Sequence, residues 1–93
     1  MSKTNHPIEY TYLCRINKED RTVTYVRFTF DKHYGLFRMR EHCFWRGEWR
    51  QIQCSKRSSE AECRALLAEK IAVLKHLGYI EIDRKDAPKG KQK

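Results

Sequence analysis

The chain has 93 residues, of which 40% are hydrophobic and 34% charged, with 20 Lys and Arg against 12 Asp and Glu for a formal charge of +8. That length excludes two independent cores and allows one sheet packed on one helix. The charge balance favours a polyanionic partner, whether nucleic acid, a ribonucleoprotein or an acidic protein face; the alternative is a basic surface kept for solubility.

No run of 18 apolar residues occurs, so no membrane span is expected. The start, MSKTNHPIEYTY, lacks the apolar stretch of a secretory signal. Cys14, Cys43, Cys54 and Cys63 form no CxxC, and a zinc set of Cys43, Cys54, Cys63 and His76 would have to be gathered from three elements. Four reduced, mostly buried thiols in a cytoplasmic protein are expected, with no metal and no cofactor.

Residues 8–16 alternate, which puts Ile8, Tyr10, Tyr12, Cys14 and Ile16 on one side of a first strand. Asn17-Lys-Glu-Asp-Arg21 is a polar turn. A second strand over 22–30 carries Val26, Phe28 and Phe30 on one face and Val23, Tyr25 and Arg27 on the other. Residues 31–35 close it, with Gly35 supplying a positive φ. Residues 36–45 and 48–54 are the third and fourth strands, and loops this short imply an antiparallel meander.

Ser59 followed three residues later by Glu62 fits a capping box at a helix start. Cys63, Leu66, Leu67, Ile71, Leu74 and Leu77 then recur at spacings of three and four, an amphipathic stripe. Glu60 and Arg64 lie four apart, and Gly78 suits the residue just past the helix end, with Tyr79 packing back over the last turn. Residues 79–82 can add a short fifth strand. The expected fold is α+β: a four-stranded antiparallel sheet, with that optional fifth strand, and one amphipathic helix on one face. Residues 1–82 form the domain, and 83–93 (DRKDAPKGKQK) a basic, unpatterned, mobile tail.

The stretch FWRGEWRQ sets the sheet's character. A two-residue loop at Arg46-Gly47 pairs Phe44 with Trp49, His42 with Gln51 and Arg40 with Gln53. Phe37, Met39, Cys43, Ile52 and Cys54 then face the helix, while Arg38, Arg40, His42, Phe44, Trp49 and Gln51 form an outer face with Arg27 and Tyr25. Trp49 is exposed there and Trp45 stays with the core edge. A three-residue loop instead pairs Trp45 with Trp49 and turns Trp49 inward. The two-residue register is preferred because only it buries Ile52 and Cys54 together with Met39.

Six cations (Arg38, Arg40, Arg46, Arg50, Lys56, Arg57) against Glu41 and Glu48 concentrate half the net charge in residues 36–57. Aromatic rings interleaved with guanidinium groups suit stacked bases and phosphates. The expected RNA or DNA contacts are therefore Arg38, Arg40, His42, Arg46, Trp49 and Arg50, with Lys56 and Arg57 assisting near the helix start. Reversing Arg38 and Arg40 is expected to abolish binding and to leave unfolding nearly unchanged, since exposed strand charges contribute little stability. GxxxxGK[ST], GxSxG and HExxH are absent, so no enzymatic activity or small-molecule substrate is expected.

Two resemblances bear on function. Ser58-Ser-Glu-Ala-Glu62, Glu69-Lys70 and Gly78-Tyr79 resemble the helical end of WGR domains, a sheet-plus-helix DNA-binding module, although Trp45-Arg46-Gly47 stands where that family has Trp-Gly-Arg. The opening MSKTNHPIEYTYLCRI, the FWRGEWRQ hairpin and the single helix resemble small phage proteins that inhibit CRISPR–Cas systems, especially type I-F inhibitors. The second resemblance implies a non-enzymatic protein in the bacterial host cytoplasm. It would insert into a surveillance complex of guide RNA and Cas subunits and block guide–target hybridisation. A WGR-like DNA binder and a basic protein–protein adaptor are the alternatives.

Overall fold

The computed structural model describes residues 8–90. Strands β1 (Glu9–Asn17), β2 (Thr22–His33), β3 (Leu36–Trp45), β4 (Glu48–Arg57) and β5 (Ile80–Ile82) form one antiparallel sheet in the order β4-β3-β2-β1-β5. Helix α1 (Glu60–His76) covers one face, and a short 3-10 turn, η1 (Arg84–Asp86), follows β5. The fold is the expected α+β arrangement with its fifth strand present. At 49 × 34 × 20 Å the molecule is about two layers thick.

The core lies between the sheet and α1. Alternation in β2 delivers Val26, Phe28 and Phe30 to the helix side, where they meet Leu13, Met39 and Cys63. Phe37, Leu66, Leu67, Ile71, Leu74 and Tyr79 pack around this cluster. Leu77, counted in the helix stripe from spacing, is 53% exposed, because it is already the C-cap residue. In β1 the helix side is the Leu13 side. The more apolar set of Tyr10, Tyr12, Cys14 and Ile16 faces the other way, since Leu13 pairs with Val26 and paired residues share a face.

Local signals set the helix ends. Ser59 Oγ accepts the Glu62 N–H at 3.3 Å, and Arg64 reaches Glu60 at 2.8 Å. At the other end Gly78 (φ +100°) lets Tyr79 N–H reach Leu74 O and Gly78 N–H reach Lys75 O, both at 3.0 Å, which closes a Schellman motif.

Both tight hairpins have two-residue turns with two positive φ values, Tyr34-Gly35 and Arg46-Gly47. This is the type I′ geometry that matches strand twist. The Arg46-Gly47 turn pairs Phe44 with Trp49 and His42 with Gln51, as the two-residue register requires. Beyond it the pattern departs from expectation. A β-bulge between Glu41 and His42 makes Gln53 the partner of Glu41 and Cys54 the partner of Arg40. Ile52 is the extra residue, 60% exposed, and Cys54 is exposed on the side away from α1. The placement of Ile52 and Cys54 under the helix is thereby corrected: one inserted residue reverses the parity of every later side chain in the strand. Gln53 takes the helix side and accepts from Lys70 Nζ at 2.8 Å.

Candidate nucleic-acid interface

Among the described residues no second α-helix packs on the face opposite α1, and cross-strand pairing fixes what it displays. One half is charged. Asp31 lies opposite Arg38, and Arg38 lies opposite Lys56. Arg38 donates from Nε and Nη2 to the two oxygens of Asp31 at 2.9 and 2.6 Å, while Arg40 Nη2 stands 3.6 Å from the same carboxylate. The Arg38 bond holds the Asp31 carboxyl below its ordinary range despite burial. Asp31 is a strand residue here, not part of a turn, because the ladder runs on to His33 opposite Leu36.

The other half is aromatic. Trp49 meets Phe44 edge-on at 5.2 Å and Tyr12 at 5.8 Å; Phe44 meets Tyr25 at 6.4 Å. The Arg27 guanidinium lies 4.8 Å from the Trp49 ring centre. Between the halves Arg27 pairs with His42 and Thr29 with Arg40. Each of these four side chains has a buried polar atom without a hydrogen-bond partner: Arg27 Nε, Thr29 Oγ1, Arg40 Nε and His42 Nδ1. Burial, aided by Arg27 and Arg40, pushes the His42 pKa down to about 4, so its imidazole is neutral at pH 7.

Of the eight residues expected to bind, Arg38, Arg40, His42, Trp49 and Lys56 share this outer face. The other three do not. Arg46 is at the hairpin tip, with its guanidinium 5.5 Å from the Trp45 ring centre. Arg50 is opposite Cys43 on the helix side and is paired with Glu48 at 3.0 Å. Arg57, opposite Phe37, is also on the helix side, because β4 continues through residues 55–57 where a loop was expected.

The two tryptophans exchange their expected exposures. Trp45 is 57% exposed at the sheet end, whereas Trp49 is only partly exposed. What covers Trp49 is the segment after β5. Trp49 Nε1–H donates to Pro88 O at 3.2 Å, and a Cβ on Gly90 would touch the indole at 3.4 Å. Arg84 sits 4.7 Å from the Tyr10 ring centre. Residues 84–90, expected to be an unpatterned tail, thus lie on the sheet and add Arg84, Lys85 and Lys89 to the face that already holds Arg27. The one sequence signal for this contact was the Trp49 indole itself, whose N–H needs an acceptor once the ring packs down.

The expectation of mostly buried thiols holds only for Cys63, since Cys14 and Cys43 are half-buried and Cys54 is exposed, and the zinc set weighed from the sequence does not assemble. Cys63 is buried on the helix side and Cys54 exposed on the outer side. Glu41 faces the helix, where burial raises its pKa against the pull of Lys70, and Glu48 pairs with Arg50. No family model, curated protein or solved structure matches this chain.

Proposed function

We propose that this protein is a non-enzymatic binding module for single-stranded nucleic acid. It acts in the bacterial host cytoplasm by occupying the guide RNA of a CRISPR surveillance complex and so preventing guide–target hybridisation. One observation carries the nucleic-acid part: the imbalance of charge between the two sides of the sheet. On the helix side the cations Arg15, Lys32, Arg50, Arg57, Arg64, Lys70 and Lys75 are matched in number by Glu9, Glu41, Glu48, Glu60, Glu62, Glu69 and Glu81, with Arg64, Lys75 and Arg50 in ion pairs. The outer face gathers Arg27, Arg38, Arg40, Lys56, Arg84, Lys85 and Lys89 against Asp31 on the sheet and Asp83 and Asp86 beside η1. Such a surface attracts phosphate, and exposed Tyr10 at its border offers a ring for a base. The choice of surveillance complex rests on the resemblance of the chain to type I-F inhibitors.

The test uses Arg40→Glu/Lys56→Glu, which leaves the Arg38–Asp31 pair in place. If about five phosphates are neutralised, the wild-type log–log salt slope is about −3.5 on a single strand and about −4.5 on duplex. The double variant should lose binding, and because Arg40 stands 3.6 Å from Asp31 its unfolding temperature should also fall. The control is therefore the exposed single variant Lys56→Glu, which should weaken binding at an unchanged unfolding temperature. Capture of a type I-F complex by the wild type and not by the double variant supports the full proposal. Preference for duplex would favour the DNA-module alternative, and a flat salt response with both would favour the adaptor.

A further inference from the structure

We propose that the cleft between the outer sheet face and residues 84–90 seats one nucleotide unit of the bound strand, base against Tyr12 and Trp49 and phosphate against Arg27, Arg84, Lys85 and Lys89. This deepens the single-strand reading above and rests on it. The cleft has a volume of about 640 Å³, within the range of about 300–1,000 Å³ typical of small-ligand sites. Its composition sets what it can hold. Among the described residues two aromatic side chains supply the apolar wall, four cations stand around it, and no carboxylate lines it. A neutral apolar guest would leave those cations unused, and a bare inorganic anion would leave the rings unused. A flat heterocycle joined to a phosphate uses both.

Arg27 is the residue that fixes the orientation. Its guanidinium is held 4.8 Å from the Trp49 ring centre and 6.0 Å from that of Tyr10, which restricts its rotamers before any ligand arrives. Its Nε is buried and lacks an acceptor, and His42 directly across the strand, 8% exposed, has a buried Nδ1 that lacks a partner too. Both atoms are closed to solvent, so a phosphate in the cleft is met by the Nη nitrogens of Arg27. The fourth side of the cleft is held by the Trp49–Pro88 hydrogen bond, so the segment's cations are positioned by the same indole that forms the wall.

The experiment follows Trp49 fluorescence in full-length Trp45→Phe, where Trp49 is the sole indole, during titration with 5′-AMP, adenosine and inorganic phosphate. A stacked or packed base is worth about 1–3 kcal/mol, so AMP should bind about tenfold or more tightly than phosphate. Adenosine, lacking the charge, should be weaker than AMP by a similar factor. Arg84→Glu/Lys85→Glu alters two exposed side chains and should remove the advantage of AMP over adenosine without moving the unfolding temperature. AMP no tighter than phosphate, or no saturable change in Trp49 emission, overturns the inference. If a single-stranded oligonucleotide still binds in an Arg40- and Lys56-dependent way in that case, the cleft proposal fails alone; if it does not, the single-strand reading fails with it.

Discussion

Arg38→Glu sets a second carboxylate against Asp31 in a place where neither reaches water freely. The wild-type side chains are 15% and 8% exposed and joined by two hydrogen bonds. Removing one partner of a buried pair costs about 3–5 kcal/mol. Arg40, 3.6 Å away, offsets part of the loss, so about 2–4 kcal/mol is expected at pH 7. With a urea slope of about 1 kcal/mol/M for a chain this short, the unfolding midpoint should fall by about 2 M or more. The assay is urea unfolding of wild type, Arg38→Glu, Arg38→Met, Asp31→Asn and the Arg38→Met/Asp31→Asn double. If the two residues act as a pair, the double should cost less than the sum of the singles by about 1–3 kcal/mol. The pH dependence has a definite sign. Arg38 depresses the Asp31 pKa, so this contribution is present above the ordinary carboxylate value and lost as pH falls through the folded-state value; the deficit of Arg38→Glu narrows in acid. A loss below about 1 kcal/mol at pH 7 would refute the buried-pair argument and return Arg38 to the exposed strand charges.

His42 has its pKa pushed down to about 4, so its side-chain NMR titration should have a midpoint far below the usual histidine value; a midpoint near 6.5 contradicts its burial. Keeping that imidazole neutral contributes stability fully above the unfolded value and progressively less as pH falls toward 4, so acid unfolding should begin earlier than in His42→Asn. Deleting Ile52 removes the bulge residue and leaves every other pair of β3 and β4 able to form, so the folded state should persist with a change within about 1 kcal/mol; global loss of amide dispersion would mean the bulge is required. Iodide should quench Trp49→Phe, which retains Trp45, more strongly than Trp45→Phe, and the reverse order would contradict the observed exposures.

The elements legible in the sequence are those written in short-range signals. Alternation reveals β1 to β4, and Ser59 and Gly78 mark the helix ends. The two-residue Arg46-Gly47 register holds as far as His42–Gln51 and fails at Arg40, whose partner is Cys54 and not Gln53. The burial of Ile52 and Cys54 that favours this register from the sequence does not occur, because the bulge leaves both side chains exposed. Alternation says which residues share a face and not which face meets the helix. In β1 the Tyr10–Ile16 set is the more apolar, yet Leu13 enters the core because β2 had committed Val26, Phe28 and Phe30 to that side. Asp31 in DKHYG has the composition of a turn, and its link to Arg38 appears only with the β2–β3 register. The docking of residues 84–90 on Trp49 spans 39 positions between the bonded residues and has no periodicity to reveal it.

Asp31 raises a question about the proposed interface, since a carboxylate among arginines subtracts charge from a surface meant for phosphate. It also holds Arg38 flat on the sheet and draws Arg40 toward it, which lowers the entropy lost when either meets an anion. The two effects separate in Asp31→Asn. If Arg38 faces the nucleic acid, the variant gains one free cation, and its salt slope on a single strand should steepen by about 0.7. At low salt the added charge should tighten binding, while at high salt, where Coulomb attraction is screened, the lost preorganisation should leave the variant weaker than wild type. The two binding curves therefore cross as salt is raised. A salt slope identical to that of the wild type would mean that no phosphate approaches Arg38, and the charged half of the outer face would then lie outside the interface.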